Sequence, residues 1–458
     1  MSKNNPWHPA IDGLLPERSP PAAGRGRLKI AIVGSGIAGL GVAHALQGRA
    51  DLTLFEAGDY FGGHTHTVDI TLPPPQGPTT WGVDTGFLVF NERTYPQLIG
   101  LFDELGIGTA RTDMSFSVQS DDGQGRRLEW NGADLDTVFA QRRNLLNWRF
   151  LRMLREVLRF NRLATALAEA GADAQLAQPL GQWLDRQRFS AEFRDWYFLP
   201  MMACIWSCPT AQMLEFPVAT MIRFCHNHGL IQVNDRPQWW TVPGGARRYV
   251  EKIVAGVADP RLRTPVHAIE RDAQGVTLHS ARGAERFDQL VLATHSDQAL
   301  ALLRQPTADE ARLLGAIRYQ PNRAVLHTDA SVLPQSPRAW AAWNYERAAA
   351  RAQEDKGVCL HYLLNKLQPL PFTQPVLVSL NPLRAIAPEH VLGDFSYSHP
   401  VFDLGAIAAQ QELPAIQGQQ RTWYAGAWTG YGFHEDGLKS GLAVAQQLLA
   451  LCAPQERA

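Results

Sequence analysis

KIAIVGSGIAGLGVAHALQGRADLTLFEAGDYFGGH, residues 29–64, reads as strand, glycine turn, helix, strand, acidic residue and a second glycine pair. Lys29 to Val33 is a short apolar strand. Gly34, Gly36 and Gly39 follow it in GxGxxG spacing. The first glycine permits a tight turn, the second lets the backbone approach a pyrophosphate, and the third lets helix and strand pack closely. Ala38 to Leu46 is small and apolar and predicts a buried helix. Its first residues, Ile37 and Ala38, would present free N–H groups and the positive end of the helix dipole to phosphates. Asp51 to Phe55 predicts the second strand, and Glu56 ends it. A carboxylate there accepts hydrogen bonds from adenosine ribose hydroxyls and disfavours a 2′-phosphate, which argues against NADP. The glycine pattern alone is weak. Flanked by a strand and a helix, with the acid at the expected distance, it predicts a dinucleotide site in an α/β domain.

Composition bounds the rest. The chain has 458 residues, 45% of them hydrophobic, which is enough for two joined domains with sizeable cores. A net charge of −1 suggests no nucleic-acid partner. Five cysteines at irregular spacing suggest no disulfide framework and read as small buried thiols. His64 and His66, and His226 and His228, are pairs without a supporting Cys or carboxylate cluster, so no metal site is expected. Residues 1–27 are rich in Pro, Gly and polar groups, lack an apolar stretch of signal-peptide type, and read as a disordered tail. No apolar run has the length of a membrane span. A cytoplasmic protein is expected, one that can touch the inner membrane peripherally.

The dinucleotide site is expected to be assembled from three separated segments, 28–91, 241–316 and 418–452, with 92–240 and 317–417 forming a substrate domain. WGVDTGFLVFN, residues 81–91, would carry the backbone close past the cofactor at Gly82, Asp84 and Gly86, with Thr85 and Gly86 as contact candidates. Thr264–Ile269, Gly275–His279 and Gln289–Ala293 are strand-like. RTWYAGAWTGYGFHEDGLKSGLAVAQQLL, residues 421–449, reads as strand, glycine loop and a helix from about Gly437. A second strand–Gly–helix far from the first is what an FAD domain shows and an NAD module lacks. Residues 92–240 read as helical and aromatic. Within them Phe150, Met153, Leu154, Val157 and Leu158 form a helical stripe opposite Arg149, Arg152, Arg155, Arg159 and Arg162. Such a helix either packs on a core with a solvated basic face or lies on anionic lipid.

The EA-x4-GG pattern at Glu56, Ala57, Gly62 and Gly63 resembles the FAD-binding opening of the flavin-containing amine oxidase superfamily, which includes protoporphyrinogen oxidase and phytoene desaturase relatives. VDTGFLVFN, FLPMMACIWSCPT, EFPVATMIRFCHNHGL, TVPGGARRYV and GYGFHEDG extend the resemblance over about residues 29–450. They are similar to a branch of FAD-dependent oxidoreductases that accompany cyclopropane-fatty-acid synthases. The resemblance implies a glutathione-reductase-type, Rossmann-like FAD domain with an inserted α+β substrate domain, and FAD as cofactor. It also implies backbone contact with the adenine at Val266 and a strand ending at Ala293 beneath the cofactor. Three positions depart from the family pattern. His64 stands where Arg usually follows the glycine pair. Ala427 stands where an acidic residue usually follows Gly426, and Glu435 or Asp436 is the substitute. Asn322 and Arg323 occupy the stretch where many amine oxidases place a Lys near the flavin, which puts oxidation of amines by O2 in doubt.

The C-terminal loop supplies the remaining expectations. Leu438 belongs to a helix start aimed at the cofactor. Trp428, Tyr431 and Phe433 sit beside the presumed flavin and, with Trp206, are substrate-contact candidates. Tyr197, Met201, Trp206 and Phe216 either line an acyl channel or pack an ordinary core. His434 is the general-base candidate because its unperturbed pKa lies near neutrality, with a structural hydrogen bond as its other reading. Glu435 and Tyr431 complete the catalytic candidates. The expected reaction is hydride transfer from an apolar substrate, a fatty-acyl chain of a lipid, to FAD. Amine oxidation, and a flavin-binding partner of a lipid-modifying methyltransferase without catalysis, are the alternatives. Nothing in the sequence reads on oligomeric state.

Overall fold

The computed structural model describes residues 27–452 except 74–77, 123–124, 172–177, 233–235 and 348–356. The expected N-terminal tail therefore lies, apart from residue 27, outside the described residues.

The apolar strands Lys29–Val33 and Asp51–Phe55 form where the sequence places them and lie side by side in parallel. They belong to a five-stranded parallel sheet in the order Asp259–Arg261, Asp51–Phe55, Lys29–Val33, Gln289–Leu292, Thr422–Tyr424. Strand side chains alternate between two cores. Ile30, Ile32, Leu52 and Leu54 join the helix Ile37–Leu46 and the C-terminal helix His434–Cys452 on one face. Ala31, Val33, Phe55, Leu290 and Leu292 join Val266, Ile269, Val276 and Leu278 of an antiparallel three-stranded sheet on the other. Burial on both faces explains why these strands read as apolar runs rather than alternating ones. The two helices approach closely because Gly41 faces Leu438 and Gly441 faces Ala38, and a Cβ at either glycine would collide with its neighbour. The C-terminal helix begins at His434, three residues before the expected Gly437.

The second half is a seven-stranded sheet in the order Val391–Val401, Arg318–His327, Leu377–Leu380, Cys359–Leu363, Trp343–Glu346, Phe116–Asp121, Arg127–Asn131. Its last two strands come from the stretch read as helical. Helices Trp148–Glu169, Leu180–Arg186, Leu199–Trp206 and Val218–Asn227 share one core with this sheet. The helix Pro96–Leu105, by contrast, buries Leu98, Leu101 and Phe102 in the nucleotide-side core. That packing places it on the other side of the expected boundary at residue 92. The two halves are joined at Asp84. Its carboxylate accepts from Thr67 Oγ1 at 2.5 Å, Ala246 N at 3.0 Å and Gln368 Nε2 at 2.7 Å, which ties three distant segments together. Burial pushes the Asp84 carboxyl up to about 6 despite these donors.

On the helix Trp148–Glu169 the expected stripe faces inward: Phe150 and Met153 are fully buried, while Leu158 is exposed. Arg149 and Arg152 of the basic face are only partly exposed. They pair with Glu192 at 2.7 and 2.6 Å. Among the described residues no helix is long and apolar enough to cross a membrane.

Candidate active site

A single cavity of about 1160 Å³ runs from the glycine turn into the second half of the molecule. Its first end is built by the opening motif. Gly34 has φ +102°, and a Cβ on it would lie 2.6 Å from the Ala293 carbonyl oxygen. A Cβ on Gly36 would meet nothing within 4 Å, so the backbone there faces open space. Glu56 ends its strand with one carboxylate oxygen on Ser35 N (3.1 Å) and Ser35 Oγ (2.5 Å) and the other on Gly58 N (2.8 Å). Ser35 Oγ accepts in turn from Gly62 N at 3.1 Å. This one hydroxyl therefore couples the turn, the acid and the second glycine pair. Sequence reading passed over it, although its place inside the glycine motif marks it.

Of the expected cofactor residues, Gly34, Gly36, Ile37, Ala38, Glu56, Ala57, Gly63, His64, Gly86, Val266, Ala293 and Gly426 all line this cavity. Six do not, each for a visible reason. Gly39 packs on the Gly34 carbonyl, and Gly62 shapes the turn at φ +127° against Thr65. Thr85 spends its hydroxyl on Tyr397 Oη at 2.7 Å and the His66 carbonyl at 3.1 Å. Glu435 turns away: its two oxygens accept from Gln97 N and Leu98 N at 3.0 Å each, at the start of helix Pro96–Leu105. Asp436 accepts from Tyr431 N and Phe433 N and fixes its own loop. Leu438 is buried between the two helices. Neither acid is free to stand in for the carboxylate missing after Gly426, and Glu435 is not placed to act as a base.

The loop residues Trp428, Tyr431, Phe433 and His434 all reach the cavity, as does Trp206. Trp206 Nε1 donates to the Tyr431 carbonyl at 3.1 Å, which locks the helical half onto the C-terminal loop. His434 stacks on Phe87 with ring centroids 3.9 Å apart, and its Nε2 lies 2.8 Å from Tyr249 Oη. Burial pushes its pKa down to about 3. The imidazole is therefore neutral, and its hydrogen-bonding reading fits better than that of a base near neutrality. Tyr249 was not singled out from the sequence. His64 is half-buried, its buried Nε2 has no hydrogen-bond partner, and desolvation with His399, His295 and His434 nearby holds its pKa well below the usual range. Asn322, at the position where a Lys was looked for, is buried and bonds His399 Nδ1 at 3.0 Å.

Beyond the loop, large apolar side chains make up much of the wall. Met114, Phe116, Tyr197, Met201, Ile205 and Trp343 line it, whereas Phe216 is buried in the core and does not. Tyr197 lies in a π-helical turn, Arg194–Phe198, which continues into the helix carrying Met201 and Ile205. The open backbone at Gly36, the carboxylate of Glu56 and the unpartnered nitrogen of His64 together fit a dinucleotide cofactor that extends from the turn toward the C-terminal loop.

Known structures share this architecture. Cyclohexylamine oxidase from Brevibacterium oxydans IH-35A superposes with a TM-score of 0.66 at 18% identity, covering 93% of this chain and 99% of that one. The CLA-producing fatty acid isomerase from P. acnes gives 0.65 at 17%, covering 92% and 98%. Putrescine oxidase bound to putrescine gives 0.65 at 16%, covering 92% and 99%. No curated protein sequence matches the chain significantly. The profile of the flavin-containing amine oxidoreductases matches residues 37–365. With that match over most of its length and a cavity shaped for the cofactor, this chain belongs to the flavin-containing amine oxidoreductase family and is an FAD-dependent oxidoreductase.

Proposed function

We propose that the enzyme oxidises or isomerises an apolar substrate, a fatty-acyl chain of a lipid, by hydride transfer to FAD. The observation that carries this reading is the wall beyond the C-terminal loop, where Met114, Phe116, Met201, Ile205 and Trp343 surround a space continuous with the cofactor site. Apolar ligands gain roughly 25 cal/mol per Å² of surface buried in such a channel. When bound, FAD supplies a two-electron acceptor for the hydride. The chain's own residues do the rest. Trp206, Trp428 and Phe433 confine the substrate and exclude water. The Tyr431 hydroxyl, pushed up to about 12 mainly by burial, stays protonated. His434, held by Tyr249 and Phe87, acts as a positioning residue at the start of the C-terminal helix.

Amine oxidation is the second reading, favoured by the aromatic faces around the loop, on which a cation can sit. It is weakened by the state of the two carboxylates that line the cavity. Glu56 is held at the glycine turn, and Asp113 is bonded by Ser115 and paired with Lys366 at 3.2 Å. The test is anaerobic mixing of the flavin-loaded enzyme with fatty acids or phospholipids in one set and primary amines in another. Bleaching of the flavin, or a rearranged double bond found by mass spectrometry, with acyl substrates alone supports the proposal. Bleaching by amines alone overturns it.

A further inference from the structure

Six of the eleven large apolar side chains exposed among the described residues fall between positions 135 and 158. Leu146 is 92% exposed, Leu135 78% and Trp148 65%, with Leu145, Leu151 and Leu158 beside them in the sequence. Singly exposed leucines are ordinary on a protein surface, but a concentration of this kind is not. The segment is held together from beneath. Arg142 bonds the Phe139 carbonyl and pairs with Asp136, which draws the short helix Leu135–Val138 against the turn Arg142–Leu146. Phe139 packs on Phe150 with centroids 5.9 Å apart. Asn147 caps the long helix, accepting from Arg149 N and Phe150 N, so Leu145 and Leu146 stand just before its first turn and Trp148 opens it. Leu151 follows at i+3 on the face of Trp148.

Basic side chains predominate on the outward face of the long helix, while Asp134 and Asp136 flank Leu135. Continuing along the outward face, Arg155, Arg159 and Arg162 are all exposed. The nearby acids are already engaged. Glu192 pairs with Arg149 and Arg152, Asp136 with Arg142, and Glu156 accepts from Ser190. Arg159 sits over the Phe189 ring at 4.0 Å and donates to the Gln187 carbonyl, so its charge is unneutralised. Apolar side chains with a tryptophan among them, backed by unneutralised arginines, match the acyl boundary and the headgroups of an anionic bilayer. Of the apolar stripe read from the sequence, Phe150 and Met153 are buried and Leu154 and Val157 partly so, whereas Leu158 is exposed. The patch keeps Leu158 and the arginines Arg155, Arg159 and Arg162 of that helix and adds exposed leucines and Trp148 from outside the stripe.

Its position adds a second argument. Gly132 and Ala133 line the cavity, and exposed Leu135 lies two residues further on. Trp130 lines the cavity and packs on Phe150, with centroids 6.2 Å apart, between the cavity and the helix that carries Trp148 and Leu151. The patch is thus one layer of side chains from the apolar end of the site.

We propose that the enzyme docks on an anionic lipid surface through Leu135, Leu145, Leu146, Trp148 and Leu151, with Arg155, Arg159 and Arg162 on the headgroups, next to the apolar end of its cavity. That the lipid phase also delivers the substrate rests on the acyl-chain reading above; the docking itself does not. The test is flotation of the flavin-loaded enzyme with vesicles of phosphatidylcholine alone and of phosphatidylcholine mixed with phosphatidylglycerol. The enzyme is expected to float with the anionic vesicles and to leave them as salt is raised. L146E combined with W148E should lower that binding by about tenfold or more. R155E combined with R162E should remove the preference for anionic over neutral vesicles. Both variants change exposed side chains, so both should keep the flavin spectrum and their turnover of detergent-dispersed substrate. Equal flotation of wild type and the L146E/W148E variant overturns the proposal. So does a wild type that stays off vesicles but dimerises through this patch, which would make the partner a second copy. Vesicle binding lost on mutation in an enzyme that does not act on acyl chains would keep the docking surface and remove the acyl-chain reading.

Discussion

Glu56 and Ile205 line the same cavity and ask opposite things of a ligand. Around Glu56 the site is made of backbone and one hydroxyl: Ser35 N, Ser35 Oγ and Gly58 N fix a carboxylate at the mouth of a glycine turn. Toward Ile205 large apolar side chains line it, with Met114, Phe116, Met201 and Trp343 coming from separate elements. The first end depends on a few backbone geometries, and at Gly34 and Gly39 these leave no room for a Cβ. The second depends on total volume and apolarity, which many sequences satisfy. Cofactor identity is therefore set sharply and substrate identity loosely, and substitutions at the two ends should fail in different ways.

The largest effect is expected at the turn. Gly34→Val adds a side chain at φ +102° against the Ala293 carbonyl and should destabilise the protein by about 3 kcal/mol or more. Thermal melts should show a large loss, and no flavin should co-purify. Glu56→Arg replaces the fixed acid with a cation and strands the N–H groups of Ser35 and Gly58. FAD affinity, read by quenching of flavin fluorescence, should fall by about a hundredfold. At the other end, Ile205→Glu should leave FAD affinity within about twofold. It should still cut kcat/KM for an acyl substrate by about a hundredfold, through the cost of burying a carboxylate. Equal damage to FAD binding by Ile205→Glu would dissolve the contrast between the ends.

Much of the first end was legible in the sequence because its determinants are local. The strands at 29–33 and 51–55, the glycine turn and Glu56 all lie within 28 residues and need only short-range geometry. Glu435 was misread for the converse reason. Its partners, the N–H groups of Gln97 and Leu98, lie more than 300 residues away, and no local pattern records them. The strands Phe116–Asp121 and Arg127–Asn131 were lost among helices because their pairing to each other and to Trp343–Glu346 is a property of the assembled sheet. Tyr197, Met201 and Trp206 could be named as lining residues, but Phe216, of the same chemistry, packs in the core. Only the fold separates a cavity wall from a core wall.

Smaller effects sharpen the comparison further. Ser35→Ala removes one hydrogen bond to Glu56 and one from Gly62 and should weaken FAD binding by about tenfold without changing substrate preference. His434 tests the seam between the ends. Its folded pKa of about 3 lies below the ordinary 6.5, so the unfolded chain binds the extra proton first. The stability it contributes is complete above about pH 6.5 and drains away as pH falls toward 3. In urea melts, His434→Asn should flatten that acid limb while leaving the neutral side nearly parallel to wild type.

The most direct measurement of the central claim is anaerobic reduction of the bound flavin by paired substrates. Long-chain fatty acids or phospholipids are set against primary amines of equal length, and the visible flavin absorbance is followed. An apolar end that receives acyl chains predicts bleaching, or positional change of a double bond at constant flavin oxidation state, with the lipids and neither with the amines. Bleaching by the amines with no change in the lipids would contradict it.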